Sequence, residues 1–596
     1  MAALSHLQRR IRDERRTGAC GRGQAVAPDG ADHRSGDGTV DGTDDGTDGA
    51  LSPEVAAALA ALASTHPALH ASLARLNPSQ ITAVLSDAPS TLVRAQVGSG
   101  KTTVLVHKAL YLHAVLAVPL AEIAVLTFTN TAAREIRDRL AAMSMDMAAE
   151  SDDQSAHDGW LIGTFHGVAR MLLAHALPIE RLGYRPGFGI LDEPSLEELR
   201  EELIKQHKLK VGRRSSLRRR MREPGAEGAL QTLANLVAEV KRDRNVMDFD
   251  DLIDFANTLL VEARPGLRRS VAPRWLLVDE AQDCETRELL FLRNLAVAHT
   301  RFFAVGDPRQ AIYGFRNGDL DVCAKLAADW RCRCLDLPRN YRSTGIILQA
   351  ARAVLGAQPG QGASLVASRE AGGVILVQLH HDPVSEAAYL ADRVCALRAQ
   401  GVPLGQVAVL YRLRSQGDVV ARAFAERGLP VLQTAGDYRQ LSCEAARLLT
   451  LHSAKGLEFQ HVFICGVNQG LLPLGFEDNA EERRLLFVGI TRARDTVEMS
   501  YVARPDTPQA LGLPSAYLGK IPADLVDWRD IPQAPVPASS TIVIPEPAGF
   551  HLGKTVRHPR YGRGVVTAVT ADTIACDFGK LGGKSFSAKL CPLVAS

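Results

Sequence analysis

The residues from Ala95 to Thr103 have the composition of a phosphate-binding loop. An apolar run precedes them and a helix-like segment follows, and a strand, a glycine-rich turn and a helix in this order form such a loop. Gly98 and Gly100 allow successive backbone N–H groups to converge on an anion, and the start of the helix adds its positive end. The common pattern has glycine where this chain has Ala95, so the loop alone is an imperfect match.

Side chains of this loop could act on a bound triphosphate. Lys101 would reach the β- and γ-phosphates, and the hydroxyl of Thr102 would bind Mg²⁺. Ser99 and Thr103 belong to the same loop and are also expected to line the nucleotide site. The predicted cofactors are therefore ATP and Mg²⁺.

Two carboxylates close a second apolar run, which begins at Trp275. Asp279 at the strand tip can hold Mg²⁺, directly or through water, and Glu280 is placed to orient or deprotonate an attacking water. Phosphoryl transfer needs both roles, because positioning and electrostatics supply most of the catalysis. Acidic pairs are common, but a pair that follows a buried strand and accompanies a phosphate loop indicates nucleotide hydrolysis.

A further apolar run ends near Gly306 and is followed by Gln310, whose amide could contact the γ-phosphate or the attacking water. Tyr313 and Phe315 come immediately afterwards. Aromatic rings beside a nucleotide sensor are suited to stacking on bases, which contributes about 1–3 kcal/mol per base. The alternative is that both rings belong to the hydrophobic core, and the sequence leaves this open.

The bulk composition limits what the rest of the chain can be. A length of 596 residues predicts several domains, since about 100–200 residues per domain is usual. The net charge of +2 is small, so nucleic-acid binding would have to come from local patches. The ten cysteines form no C-x-x-C pair, and no stretch approaches the ~18 apolar residues of a membrane span. A cytoplasmic protein with free thiols and no membrane partner is expected.

Apolar runs alternate with helical segments along the chain, which indicates parallel sheets buried on both faces. One series precedes Gln310 and a second begins near Arg333. Ligands of such sheets bind at the carboxyl ends of the strands, so the polar residues that close the runs are site candidates. An α/β fold with two lobes is expected.

Composition also suggests domain boundaries. The predicted segments are a disordered N-terminal segment (1–50), a first lobe in two parts (51–179, with an N-terminal helix, and 248–335), a helical insertion (180–247), a second lobe (336–530), a Pro-rich linker (531–548) and a small β-barrel (549–596). The insertion contains an Arg-rich run at 213–222, which is either a solvated charged helix or a surface that contacts phosphates. Gly562 and Gly564 are among the glycines predicted to mark turns of the barrel.

The motifs occur in a familiar order. Besides those above, they lie at 76–80, 126–135, 163–166, 337–343, 450–459 and 487–493. In order and content they resemble the UvrD/Rep/PcrA group of superfamily 1 DNA helicases, over residues 76–522. The resemblance implies two RecA-like P-loop lobes that bind ATP between them. The terminal module resembles the small Tudor-like domain that ends several of these helicases.

The resemblance also implies roles for single residues. Gln80 would read adenine, Tyr341 would stack on the base and Glu458 would contact the ribose. Arg342 and Arg492 would act as arginine fingers, which stabilise the transition state only when the lobes are shut. The residues expected along single-stranded DNA, in addition to Phe315, are Phe128, Thr129, His166, Tyr313 and His452.

The chain departs from the family pattern at three places. Gln96 and Val97 stand where relatives usually carry smaller residues. Thr103 stands where many relatives have an arginine that sandwiches adenine, so base selectivity could be looser. Relatives also insert a large regulatory domain just before the motif that holds His452, and this domain is expected to be absent here, because strands and helices of the second lobe account for the residues from Arg342 onward.

The expected activity is ATP-driven movement on single-stranded DNA and at junctions with duplex DNA, in the 3′→5′ direction by analogy with the family, during DNA repair, replication or recombination. One alternative is a translocase that displaces proteins or tracks RNA polymerase without separating strands, and the missing insertion motivates it. Another is an ATP-gated DNA-binding scaffold with negligible turnover. Residues 549–596 are the expected docking module for RNA polymerase or repair factors.

Overall fold

The computed structural model describes most of the chain as two compact units, Met1–Asp530 and Ile531–Ser596. The described residues are 50–148, 161–211, 228–313, 321–356, 366–433 and 444–529 in the first unit, and 554–558, 562–569, 573–577, 583–587 and 594–595 in the second. The predictions for residues 1–49, for the Arg-rich run 213–222, for Phe315 and for the linker 531–548 lie outside these residues.

The first lobe extends to residue 337. Its strands are β1 (Ser90–Ala95), β2 (Ile123–Thr127), β3 (Leu161–Thr164), β4 (Gly189–Ile190), β5 (Val246–Met247), β6 (Trp275–Val278), β7 (Arg301–Gly306) and β8 (Arg333–Leu337). Its helices are α1 (Pro53–Thr65), α2 (Pro67–Leu73), α3 (Pro78–Leu85), α4 (Lys101–Ala114), α5 (Asn130–Ala148), α6 (Phe165–His175), α7 (Glu193–Gln206), α8 (Ala229–Asp243), α9 (Phe249–Glu262), α10 (Pro265–Val271), α11 (Thr286–Leu295) and α12 (Val322–Asp329). Short 3₁₀ helices lie at Leu120–Glu122, Ile179–Leu182, Ala281–Asp283 and Pro308–Gln310.

A parallel sheet with the strand order β3-β2-β6-β7-β1-β8 forms the centre of the first lobe. Alternate residues of a strand face opposite sides: Leu276 and Val278 pack in one buried cluster, Trp275 and Leu277 in the other. This two-sided burial explains the near-continuous apolar runs and confirms the predicted parallel α/β lobe. The predicted boundary after residue 335 falls inside β8, which pairs with β1.

The insertion within the first lobe has a small core of its own. Helices α7 and α8 pack through Leu199, Leu203, Leu233 and other buried side chains, and β4 pairs with β5. Lys241 of α8 donates to Asp248 at 3.0 Å and to Asp251 at 2.6 Å. This buried ion-pair cluster fixes the end of the insertion to the first turn of α9.

The second lobe comprises residues 339–529. Its strands are β9 (Arg339–Asn340), β10 (Val366–Ala367), β11 (Ile375–His380), β12 (Val407–Tyr411), β13 (Val431–Leu432), β14 (Ala446–Thr450), β15 (Phe459–Ile464), β16 (Gly470–Leu471), β17 (Leu474–Gly475), β18 (Ala493–Val502) and β19 (Val526–Arg529). Its helices are α13 (Gly345–Leu355), α14 (Pro383–Ala399), α15 (Arg414–Glu426) and α16 (Ala480–Ile490), with 3₁₀ turns at Leu404–Gln406, Leu518–Lys520 and Ala523–Leu525.

The second lobe is built on a parallel sheet with the order β13-β14-β12-β15-β18-β11-β19. Its two faces also pack against separate buried clusters, as in the first lobe. Only residues 433–445 connect β13 to β14. This stretch is too short for a further domain, which usually needs at least about 50 residues, so no large domain is inserted there, as predicted.

The C-terminal unit contains an antiparallel sheet. Its strands are β20 (Thr555–His558), β21 (Gly562–Val569), β22 (Thr573–Asp577), β23 (Gly583–Ser587) and β24 (Val594–Ala595), in the order β23-β22-β21-β20-β24. The prediction that Gly562 and Gly564 mark turns is wrong, because both lie within β21. Gly564 is buried and pairs with Val556 of β20. Among the helices in the described parts of the chain, none is long and apolar enough to cross a membrane.

Candidate functional site

The phosphate loop occupies the predicted position between β1 and α4. Gly98 has a φ of 61° and Gly100 a φ of 81°, in the left-handed region that favours glycine. A Cβ atom on Gly98 would lie 2.7 Å from Nδ2 of Asn340, and one on Gly100 would lie 2.6 Å from Nε2 of Gln80. Both glycines are therefore required by the backbone conformation and by the close approach of neighbouring side chains.

Lys101 is held by an acidic partner. Its Nζ lies 2.9 Å from Oε2 of Glu280, and Nε2 of Gln282 donates to the same oxygen at 2.6 Å. Burial lowers the pKa of Lys101, but the nearby carboxylates of Glu280 and Asp307 outweigh burial, and the net pKa is raised. The ammonium group therefore stays charged, as a phosphate ligand must.

The two carboxylates after β6 have opposite electrostatic environments. Burial and the charge of Glu280 raise the pKa of Asp279. Burial also raises the pKa of Glu280, but Lys101 and Lys455 more than reverse this effect and lower it. Glu280 has a φ of 48°, a strained backbone conformation for a residue with a side chain, which is typical of functional sites.

The site has suitable ligands for Mg²⁺. Asp279 is 4% exposed and its backbone N–H donates to the carbonyl of Leu126, which fixes it at the carboxyl end of β6. Thr102 lies in the first turn of α4 and lines the cavity described below. A hydroxyl and a carboxylate are hard oxygen donors, and Mg²⁺ is commonly held by one or two such side chains together with substrate phosphates. The residues therefore fit the predicted ion.

A cavity of about 720 Å³ brings the nucleotide-site residues of both lobes together. This volume is within the range of about 300–1,000 Å³ that is usual for ligand sites. The predicted residues that line it are Gln80, Gly98, Ser99, Gly100, Lys101, Thr102, Thr103, Glu280, Gln310, Tyr341, Arg342, Glu458 and Arg492. Asp279 is not among the lining residues.

Gln310 and Arg492 form a contact between the lobes. Nε2 of Gln310 donates to Asp307 at 2.6 Å, and its Oε1 accepts from Nη2 of Arg492 at 3.3 Å. Arg492 is 1% exposed and also donates to the carbonyls of Leu457 and Val488. Burial lowers its pKa to about 9. The arginine of the second lobe thus touches the predicted sensor of the first lobe directly.

Arg342 and Glu458 pair with each other in the cavity. Nε of Arg342 donates to Oε2 of Glu458 at 2.7 Å. The predicted arginine finger is therefore held by the residue that was predicted to contact the ribose. These two roles remain predictions, and both side chains face the nucleotide cavity.

Asn77, which contacts the cavity-lining residues Gln80 and Tyr341, was not singled out by the motif analysis. Asn77 forms a capping box with Gln80, and its Nδ2 donates to the hydroxyl of Tyr341 at 2.6 Å. Nε2 of Gln80 donates to the carbonyl of Ser99 at 2.8 Å. The Asn-Pro-Ser-Gln pattern of a capping box could have identified Asn77.

Arg139 of α5 also lines the cavity and was not singled out by the motif analysis. Nη1 of Arg139 lies 3.5 Å from Oγ1 of Thr103, and Glu135 pairs with the same arginine at 2.6 Å. Arg139 therefore lines the cavity beside Thr103. No local pattern predicts this contact, because it depends on α5 packing against α4.

The predicted DNA residues form two groups. Phe128 and Tyr313 stack with ring centroids 5.7 Å apart, and Tyr313 lies 6.3 Å from His452 of the second lobe. His166 contacts Phe249 edge to face at 5.9 Å. Phe128 follows β2 and His166 follows β3. Because these strands are parallel neighbours, both groups lie at the carboxyl edge of the first sheet.

Two further residues, Thr129 and Phe249, lie beside the aromatic surface that Phe128, Tyr313, His452 and His166 form. Thr129 is exposed, and its hydroxyl accepts from the backbone N–H of Ala132 in the first turn of α5. Phe249 was not predicted, although its side chain is 50% exposed at the start of α9. The sequence signal that could have identified Phe249 is an aromatic residue directly before two aspartates in the first turn of a helix.

Two family models match the chain. The UvrD/REP helicase N-terminal domain matches residues 76–224 and 215–331, and the UvrD-like helicase C-terminal domain matches residues 335–439 and 432–504. Together they cover both lobes in chain order.

Curated relatives match at moderate identity. DNA helicase II of Escherichia coli (strain K12) is 24% identical over 82% of this chain and 94% of its own length. DNA helicase II of Haemophilus influenzae is 30% identical over 60% of this chain, and ATP-dependent DNA helicase PcrA of Bacillus subtilis is 28% identical over 60%. The matched region spans about half the length of these last two relatives.

The alignment with the E. coli protein also reflects a difference in length. It has 691 positions, and 82% of 596 residues is about 490, so roughly 200 positions of the relative lie opposite gaps in this chain.

Proposed function

Since this chain belongs to the UvrD-like helicase family, we propose that it is a DNA-dependent ATPase that moves along single-stranded DNA and separates duplex strands. The observation that carries the proposal is the cavity in which the phosphate loop meets side chains from both lobes. A triphosphate bound there would be contacted by both lobes, so its cleavage would change how they close.

The proposed lobes are RecA-like, and the proposed cofactors are ATP and Mg²⁺. Lys101 would bind the β- and γ-phosphates, and Thr102 and Asp279 would hold Mg²⁺. Glu280 would orient the attacking water. When bound, Mg²⁺ would neutralise charge on the phosphates. The partly buried ion pair between Lys101 and Glu280 supports these roles, because it keeps both groups charged and in place.

The second lobe would complete the catalytic site. Arg342 and Arg492 would stabilise the charge that develops on the γ-phosphate, and Gln310 would report the state of the γ-phosphate to Arg492. The contact between Gln310 and Arg492 supports this link. Gln80 and Tyr341 would bind the base, and Glu458 the ribose.

The aromatic surface would bind the DNA strand. Bases would stack on the exposed parts of Phe128, Tyr313 and His452, with His166 and Phe249 on the neighbouring strand ends. The ring contacts that span both lobes support this surface, since opening and closing of the lobes would change the spacing of the stacking positions. Movement in the 3′→5′ direction is proposed by analogy with the family.

Two variants test the ATPase proposal. Lys101→Ala and Glu280→Gln should abolish ATP hydrolysis that is stimulated by single-stranded DNA, while circular dichroism shows a folded protein. The exposed Lys205→Ala is the matched control and should keep the wild-type rate. Hydrolysis at the wild-type rate in either site variant would contradict the assigned roles.

A second candidate function is a translocase that displaces bound proteins without separating strands. The short connection of residues 433–445 favours it, because the relatives carry a large domain there. Unwinding of a tailed fluorescent duplex, measured beside displacement of streptavidin from biotinylated single strands, distinguishes the two. Displacement without unwinding would support the translocase.

The C-terminal unit is proposed to be a Tudor-like barrel that docks RNA polymerase or repair factors. Its antiparallel sheet and buried Val556, Val566 and Ile574 support a packed module. We also propose that the protein acts in the cytoplasm, in DNA repair, replication or recombination. Pull-down with the full chain and with a chain ending at residue 530 tests the docking role.

A further inference from the structure

The phosphate loop is joined to the segment that connects the two lobes. Nδ2 of Asn340 donates to the carbonyl of Val97 at 2.7 Å, and the backbone N–H of Tyr341 donates to the carbonyl of Gly98 at 2.9 Å. Asn340 is fully buried. Asn340 and Val97 are separated by 243 residues of sequence, so only the fold brings them together.

The other end of the same side chain holds the segment that carries Arg342. Oδ1 of Asn340 accepts the backbone N–H groups of Arg342 at 2.8 Å and Ser343 at 2.9 Å. The hydroxyl of Ser343 then donates to the carbonyl of Ala493, next to Arg492. The Asn340 carboxamide therefore links the phosphate loop to the backbone of Arg342, and Ser343 continues the link to Ala493, the residue after Arg492.

Apolar packing strengthens this link. The side chain of Val97 is 1% exposed and packs in a buried cluster of the second lobe, although Val97 belongs to the loop of the first lobe. A Cβ atom on Gly98 would lie 2.8 Å from Cβ of Arg342, so glycine is needed for this close approach. The loop is thus held by the hydrogen bonds from Asn340 and Tyr341 and by burial of the Val97 side chain.

We propose that Asn340 is a positioning residue that sets the distance between the phosphate loop and the Arg342 guanidinium. The proposal rests on the ATPase function proposed above. A loop free to shift by about 1 Å relative to the arginine would bind a triphosphate but would place the γ-phosphate poorly, and such misplacement can cost about 100-fold in rate.

Asn340→Asp tests the proposal. One carboxylate oxygen can still accept from Arg342 and Ser343, but the other faces the Val97 carbonyl without a proton. The matched control is Asn468→Asp, since Asn468 is also fully buried and donates to two carbonyls, those of Val502 and Leu511. Both variants are assayed as full-length protein for DNA-stimulated ATP hydrolysis.

The expected result is a loss of kcat of about 10- to 100-fold in Asn340→Asp. The KM for ATP should change by less than about threefold, because the loop still binds phosphate. Asn468→Asp should lose thermal stability without this loss of kcat. Equal effects of the two variants on kcat would overturn the proposal.

The pH profile gives a readout that a purely structural role would not move. Burial raises the pKa of the introduced carboxyl, whereas the two backbone N–H groups that it accepts lower this pKa, and its protonated form could again donate to the Val97 carbonyl. The kcat of Asn340→Asp relative to wild type should therefore rise as the pH is lowered through the pKa of the introduced carboxyl. A ratio that does not change with pH would contradict the proposed hydrogen bond.

Amide hydrogen exchange separates this proposal from the proposed function. In Asn340→Asp, the amides of Tyr341 and Ser99 should exchange faster than in wild type, and in Asn468→Asp they should not. If the wild-type protein hydrolyses no ATP, the proposed function fails, and the exchange rates still decide whether Asn340 fixes the loop. Unchanged exchange at both amides would refute the positioning role.

Discussion

The ion pair between Lys455 and Asp283 offers a direct test of how the lobes are held together. Nζ of Lys455, in the second lobe, lies 2.6 Å from Oδ1 of Asp283, in the first. Their side chains are 8% and 2% exposed. The same ammonium group lies 5.3 Å from the ring centroid of Tyr313 and donates to the carbonyl of Gln310. We predict that Lys455→Met weakens both the fold and the coupling between ATP and DNA.

The magnitude follows from burial. Burial raises the pKa of Asp283 to about 6 even with Lys455 beside it, so the carboxylate is ionised at neutral pH but less favourably than an exposed aspartate. Removal of the cation leaves that charge unpaired, which typically costs about 3–5 kcal/mol. Asp283→Asn in the same chain removes the unpaired charge, so the double variant should recover about 2 kcal/mol of this loss.

Urea unfolding of the four proteins in this double-mutant cycle gives the coupling free energy. A value of about 2–3 kcal/mol is expected for a buried pair, whereas exposed pairs give about 1 kcal/mol or less. Lys205→Met, which removes an exposed cation near Glu201, is the control and should change stability by less than about 1 kcal/mol. Additive single-variant effects would refute the reasoning.

Three further predictions concern other parts of the molecule. Glu386 is buried and its pKa is raised from its ordinary value of 4.5 to about 7, chiefly by burial. The carboxyl therefore favours the fold at low pH and this contribution is lost as pH rises through about 7, so Glu386→Gln should be more stable than wild type by up to about 3 kcal/mol at pH 8 and equal to it near pH 4 in thermal unfolding. Gly98→Ala should lower DNA-stimulated ATP hydrolysis by at least about tenfold, because its Cβ would overlap Asn340, whereas Gly428→Ala, with a similar φ and open space around it, should keep the wild-type rate. Phe249→Ala should weaken binding of single-stranded DNA by about 1–3 kcal/mol in fluorescence anisotropy and leave ATP hydrolysis without DNA unchanged, and unaltered DNA affinity would remove Phe249 from the binding surface.

The sequence by itself determined the lobes and the position of the chemistry. A buried parallel strand needs apolar residues on both faces, so strands such as β2, β6 and β12 appear as continuous runs. Parallel strands of one sheet share a carboxyl edge, so Lys101 after β1 and Glu280 after β6 were expected to lie close together without knowledge of the fold. Turn chemistry was less informative, because glycine occurs both in turns and within strands, and Gly564 lies within β21.

Only the tertiary structure decided which partners the site residues have. Arg342 pairs with Glu458, Arg139 approaches Thr103, and Asn340 holds Val97 from 243 residues away. A sequence pattern records what a residue can donate or accept, whereas these contacts depend on which strands lie side by side and how the lobes close on each other. The pairing of β8 with β1, which brings the connecting segment onto the phosphate loop, is the physical reason that Asn340 could be recognised only in the folded chain.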